Sequence, residues 1–405
     1  MNAKYFLILP AVFLTFSGCS VETPVNDLAG YRAELEKFRL EFGGHVEMPD
    51  VRFFLFGMGD RTKLIYRNGE LSDAMSGETI RKWDIAGSLI VPPDYLVSLV
   101  LTDSSRVEIR EDKDAVWIDE NGERLAVEGT SSRLELPDFR GFRYGRVMKV
   151  LHHEILVNIA GGKPLPNFLV YKNPWRRDAA MMAMCLNITG NINLIREWAL
   201  ALNDPYDRNN AGEAEADNLG QSLYLLSFFA DRNHPLVAGI VDEARRHEAG
   251  NPGMKYIKGR SDFHEVPVYQ TKWMKFGLAA MNMPDEYVIP ALQDDYSALF
   301  WWDYKESYLP GTRDSRDRVK YPYLGWAADH FHGTRTSGVS NRDYPLTWET
   351  DASQADYNGM AVVDTIYVKL RTAAPHTWHA SEVFLYLYEM EHPLCLSGKR
   401  DHDRY

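Results

Sequence analysis

The sequence predicts a mainly α fold, with an α-hairpin body over residues 144–395 preceded by a small antiparallel β domain over 46–143. Three observations carry that expectation. From Tyr144 onward apolar residues recur at helical spacing, as at Met148, Leu151, Ile155 and Ile159. Between Val51 and Glu135 the runs are short, apolar or alternating, and broken by Gly, Asn and Asp, which is the pattern of strands and tight turns. The chain has 405 residues and 45% hydrophobic content, enough for one or two sizeable cores. After Cys19 only Cys185 and Cys395 remain, far apart, so a disulfide framework is not what holds the fold.

The first element is a leader. Lys4 precedes an apolar run from Tyr5 to Phe16, followed by Ser17, Gly18 and Cys19, the charged start, apolar middle and small-residue end of a signal peptide over 1–18. The run is shorter than the about 20 residues a permanent membrane span needs. Phe16-Ser17-Gly18-Cys19 resembles the lipobox of bacterial lipoproteins. That resemblance implies lipidation of Cys19 and a membrane-anchored protein of the cell envelope, and Ser20 in place of Asp points to the outer membrane. A conventional signal that happens to precede a cysteine is the alternative. Residues 19–45 read as a spacer and one amphipathic helix, with Leu28, Tyr31, Leu35 and Phe38 on one face.

In the β domain, strands are expected at 53–56, 63–66, 99–101, 106–109 and 115–118. Asn68-Gly69 and Asn121-Gly122 serve as hairpin turns because both residues accept positive φ. In the helical body, helices are expected near 148–159, 179–188, 194–202, 218–229, 235–247, 269–281, 355–370 and 377–390. Polar, aromatic-rich loops lie between them at 203–217 and 293–329, and residues 396–405 form a polar tail. Such loops on a helical scaffold are where a site is built.

The net charge of −12 speaks against nucleic acid as a partner, since phosphate binding needs a basic face. Ten Trp and 22 Tyr in an acidic exported chain lean towards carbohydrate, whose flat faces stack on aromatic rings. Four segments bear the chemistry. Tyr171-Lys172-Asn173-Pro174-Trp175-Arg176-Arg177-Asp178 sets an aromatic, two guanidinium groups and a carboxylate at a loop-to-helix junction, where Asp178 either binds substrate or caps the helix. Gly212 to Gln221 carries Glu213, Glu215 and Asp217, which alternation turns to one side if the loop is extended. Such a cluster raises one pKa towards that of a general acid, or is a solvated charge run at a helix start. Glu349 stands beside Trp348 in a loop, and Trp378 and His379 open the last helix.

The Trp-x-Arg-Asp-Ala-Ala order at 175–180, the position of Glu349 and the Thr377-Trp378-His379-Ala380 segment resemble the six-hairpin glycosidases of the glucoamylase type. His379 is displaced by one position from the family pattern, and the family's Leu-Trp-Glu-Glu cluster is absent. The resemblance implies an (α/α)6-like toroid and inverting hydrolysis of a glycosidic bond by two carboxylates roughly 6.5 to 9.5 Å apart. It makes Glu349 the base, and leaves Glu213, Asp217 and Glu265 as candidates for the acid. Trp175, Arg176, Arg177, Asp178, Tyr269, Trp348, Trp378 and His379 would hold the sugar.

Two other functions fit the same residues. A polysaccharide lyase would draw its base and charge neutralisation from Tyr269, His264, His379, Arg176 and Arg177. A non-catalytic glycan-binding lipoprotein would use Trp175, Trp301, Trp302 and Trp348 as its platform. No cofactor is expected, because no Gly-rich phosphate loop or Gly-x-Ser-x-Gly elbow is present. Neither His152-His153-Glu154 nor Asp329-His330-Phe331-His332 has a zinc spacing, so no metal is expected, although calcium on loop carboxylates stays open.

Overall fold

The computed structural model describes residues 27–42, 45–208, 212–261, 264–292 and 339–391. Cys19, Trp301, Trp302, His330, His332 and the tail at 396–405 lie outside the described residues. Among the described residues, no helix is long and apolar enough to cross a membrane.

Helix α1 (Leu28–Phe42) buries Leu28, Tyr31, Leu35 and Phe38, the stripe its spacing dictates. Strand β1 (His45–Val46) then pairs in parallel with Val339–Ser340. A four-stranded antiparallel sheet follows in chain order, from β2 (Phe54–Phe56) through β3 (Leu64–Arg67) and β4 (Glu70–Asp73) to β5 (Thr79–Lys82). A five-stranded meander comes next: β6 (Ile85–Val91), β7 (Leu96–Leu101), β8 (Arg106–Glu111), β9 (Val116–Glu120) and β10 (Glu123–Ala126). Both expected Asn-Gly turns close hairpins, pairing Arg67 with Glu70 and Glu120 with Glu123. All four turn residues have positive φ, from 48° at Asn68 to 81° at Gly69, the twist that two-residue hairpins need.

The helices are α2 (Gly145–Val157), α3 (Arg176–Ile188), α4 (Arg196–Leu200), α5 (Asp217–Ser227), α6 (Pro235–Arg246), α7 (Pro267–Ala280), α8 (Thr365–Leu370) and α9 (Thr377–Glu391). They do not form the expected toroid. The fold is mixed α and β, with several small antiparallel sheets beside the helices, and the mainly α, (α/α)6-like reading is corrected. The physical reason lies in the connections and the neighbours. Segments expected as loops, and the expected helix end at Ile159, form two-residue ladders, at 159–160 with 163–164, 248–249 with 256–257 and 349–350 with 372–373. The last helix, α9, packs between α2 and α3, and α3 leads on to α5 and α7, so helices adjacent in space are not successive hairpins. Helices α5 and α7 approach closely, and a Cβ on Gly220 would lie 2.2 Å from the Trp273 backbone.

Helix α2 is buried along nearly its whole length, because the sheets cover one side of it and α9 the other. The His153 ring stacks on Phe54 at 4.8 Å, and its Nε2 lies 3.0 Å from the Leu55 carbonyl oxygen. Burial holds His152 and His153 down to about 3, so both imidazoles are neutral parts of one continuous core.

Candidate functional site

The first turn of α3 brings charge into this core, and adjacent residues meet different partners. The Arg177 guanidinium is fully buried and donates to Asp217 Oδ2 at 3.0 Å and to Glu215 Oε2 at 3.2 Å. Asp217 also accepts from Ser261 Oγ at 2.6 Å and Gln221 Nε2 at 2.8 Å. Both its oxygens are engaged, so Asp217 is held in a structural role. Glu213 stays exposed, so the alternation expected for residues 213, 215 and 217 does not place three acids together. Glu265 is exposed and pairs with Lys258 at 3.5 Å.

Asp178 is completely buried. It does not cap α3, whose first amide, on Arg176, donates instead to Asp207 at 2.6 Å. Neither carboxylate oxygen of Asp178 meets a donor of another residue at hydrogen-bond distance, and its nearest charged partner is His376 Nε2 at 3.9 Å. That same nitrogen lies 2.8 Å from Glu349 Oε2, and the Tyr171 hydroxyl donates to the same Glu349 oxygen. The two-residue ladder pairing Glu349 with Ala373 sets this carboxylate beside the turn that carries His376. Behind it, Thr347 Oγ1 accepts the His376 amide at 3.0 Å. Asn167 Nδ2 donates to the Pro375 carbonyl at 2.8 Å, which ties the turn to the segment before Tyr171.

Electrostatics separates the members of this group. Burial, reinforced by Glu349 and only partly offset by His376 and Arg177, pushes Asp178 up to about 7. Burial acts to lower His376, but Glu349 and Asp178 together outweigh it and hold the imidazole above its ordinary value. His379, whose ring centroid is 5.1 Å from that of His376, is held well below 6.5 by burial and by His376. One cationic imidazole is therefore favoured between two acids, with a neutral one beside it. Burial and the neighbouring carboxylate raise Tyr171 well above 10, so its hydroxyl keeps its proton and acts as a donor.

Tyr171 is also the wall between this group and the surface. With Trp175, Lys172, Asp207, Arg208 and Asp356 it lines a cleft of 370 Å³, within the range of small-ligand pockets. The Trp175 ring packs edge-on against Tyr171 at 5.1 Å and is half-exposed. Glu349 retains 8% of its side-chain surface and Asp178 only 1%, so Glu349 is the more accessible acid.

Of the residues singled out in the sequence, Asp178, Glu349 and His379 come together, with Trp175 at the mouth of the cleft. Trp348 is buried against His379 at 6.0 Å. Trp378 lies under the Arg177 guanidinium at 5.1 Å and donates to Glu382. Arg176 is spent on Ser222, on the Asp204 carbonyl and on the Trp198 ring. The Tyr269 hydroxyl is within 3.4 Å of Gln221 in the core. Tyr171 opens the segment 171–178 and His376 immediately precedes Thr377-Trp378-His379-Ala380, but neither residue belongs to the motifs that mark Trp175 and His379. Among the described residues no group of three or more His, Cys, Asp or Glu side chains is placed to hold a metal ion. No protein-family model, no curated protein and no solved structure matches the chain.

Proposed function

We propose that the protein is a lipid-anchored hydrolase of carbohydrate, in which Glu349 is the general base and the cleft beside Trp175 receives the sugar. The observation that carries this reading is Glu349, hydrogen-bonded to His376 and Tyr171 behind an aromatic cleft and the less buried of two acids facing one imidazole. A base must bind a water, take its proton and be oriented while it does so. His376 and Tyr171 fix the Glu349 carboxylate by donating to it, and Asp178 faces the same His376 nitrogen at 3.9 Å.

Asp178 is poorly suited to be the partner acid of an inverting pair. The imidazole nitrogen stands between the two carboxylates at 2.8 and 3.9 Å, where such a mechanism requires room for a water. Asp207 and Asp356 line the cleft itself and are better placed to protonate a leaving oxygen.

Glu349→Gln keeps the shape and removes the base, so turnover should fall by about 10²- to 10⁴-fold with the fold intact by circular dichroism. The assay is release of reducing ends from a glycan panel by purified protein. Unchanged hydrolysis in the variant would reject Glu349 as the base. Lys172 and Arg208 on the same cleft favour one second reading, elimination next to a uronate carboxylate, and ultraviolet absorbance of the products in the same panel identifies it.

A further inference from the structure

The Trp175 cleft ends at a seam, and a larger groove begins on the other side of it. Asp356 donates its amide to the Val170 carbonyl at 2.9 Å. A Cβ on Gly359 would fall 1.8 Å from the Leu169 carbonyl oxygen, so only glycine lets these two segments lie so close. Val170 and Asp356 line the cleft, while Leu169 and Asn358 line a groove of 710 Å³ that runs onto the β3–β4 hairpin. The two hollows are joined by more than proximity, since Asn358 donates both its amide and its side-chain nitrogen to Asp356 Oδ1, at 3.2 and 2.9 Å.

The groove is polar. Arg67, Asn68 and Lys82 offer donors, and among the described residues Glu70 is the one carboxylate in its lining. Glu70 is held below its ordinary value by hydrogen bonds from Thr79 and Ser72, so its charge is fixed and partly matched by Lys82 at 3.8 Å. In a chain of net charge −12, a hollow whose side chains carry more positive than negative charge selects for anionic ligands. Across the seam Lys172 and Arg208 are matched in number by Asp207 and Asp356, so the excess of positive charge belongs to the groove.

We infer that the groove is a second subsite that takes the extension of an acidic, uronate-bearing glycan chain whose end or middle occupies the Trp175 cleft. The inference rests on the carbohydrate reading of that cleft and adds to it the substrate class and the need for more than one sugar unit. Separate contacts on one chain raise affinity with chain length up to the span of the site, whereas a single cleft saturates with the shortest ligand.

The test is calorimetric binding of galacturonic acid dimer and hexamer, with neutral cellohexaose alongside, to full-length Glu349→Gln protein. The hexamer should bind about tenfold or more tightly than the dimer and than cellohexaose. Adding Ala361→Trp, which fills the groove from an exposed position, should bring hexamer and dimer to the same affinity. Equal affinity of dimer and hexamer overturns the inference, and so does a length dependence that survives Ala361→Trp. Cellohexaose binding as well as the acidic hexamer overturns the substrate class. Failure of the hydrolase reading is distinct, because it shows as absent turnover in the parent protein while length-dependent binding persists.

Discussion

Arg177 and Asp178 are consecutive residues on one helical turn, both fully buried, and they meet opposite fates. Around Arg177 each charge has its complement. One guanidinium faces Glu215 and Asp217, and Asp217 takes further bonds from Ser261 and Gln221. Around Asp178 the accounts do not balance: its oxygens lack bonds from other residues, and a single imidazole serves two carboxylates. A buried ion pair with complete bonding is rigid and inert, whereas an under-satisfied buried acid keeps its proton up to near neutrality, where it can exchange it. The first cluster therefore builds the frame and the second is the place to look for chemistry.

Breaking the Arg177 cluster should have the largest effect. Arg177→Met leaves two buried carboxylates uncompensated and should cost roughly 3–5 kcal/mol, read as a lower denaturant midpoint with an unchanged slope. A loss under about 1 kcal/mol would mean that water reaches this ion pair, and the contrast would fail.

The Asp178 cluster should reveal itself through pH. An acid with an ordinary value of about 3.8 that is raised to about 7 in the folded state keeps its proton on folding. The unfolded chain then binds fewer protons between these values, so Asp178 subtracts stability progressively from about pH 4 to about pH 7 and by a constant amount above. At about 1.4 kcal/mol per unit, the contribution is at most on the order of 4 kcal/mol. Glu154 and Glu382, each raised by burial to about 8, act in the same direction. Unfolding free energies at pH 5 and pH 8 should therefore differ less in Asp178→Asn than in the parent. Identical differences would show that Asp178 titrates normally.

The smallest effect belongs to the surface acids. Glu265→Ala removes an exposed pair at 3.5 Å and should change stability by less than about 1 kcal/mol, with turnover unaltered. Glu213→Ala should be equally silent. A large loss of activity in either would return that residue to the list of acids.

The β half was legible in part, where its signals are local; the strands at 79–82 and 85–91, largely exposed and without a buried alternation, were not expected. Asn-Gly turns and alternating apolar runs specify hairpins within ten or so residues, and Arg67 meets Glu70 just where Asn68-Gly69 demands it. The helices were legible one at a time, but their arrangement was not. Whether α9 packs on α2 or on the helix before it depends on faces remote in sequence, and the ladder at 349–350 is set by partners over twenty residues away. The site divides in the same way. Glu349 and Asp178 stand out as acids beside aromatic residues, but the residue between them, His376, is defined only by a fold that brings positions 171, 178, 349 and 376 together. Glu154 shows the same limit. Weighed in the sequence as a metal ligand, it instead accepts the Leu346 and Thr347 amides and the Thr347 hydroxyl, and so fixes the strand that leads to Glu349.

Helix α1 grips the same segment. The Tyr31 hydroxyl reaches the Asp343 carbonyl at 2.6 Å and Arg39 reaches the Arg342 carbonyl at 2.8 Å. The stretch nearest the proposed lipid tether is thus a splint for the proposed base rather than a dispensable leash. Trimming the N-terminus as far as residue 45 would leave the proposed base without this brace.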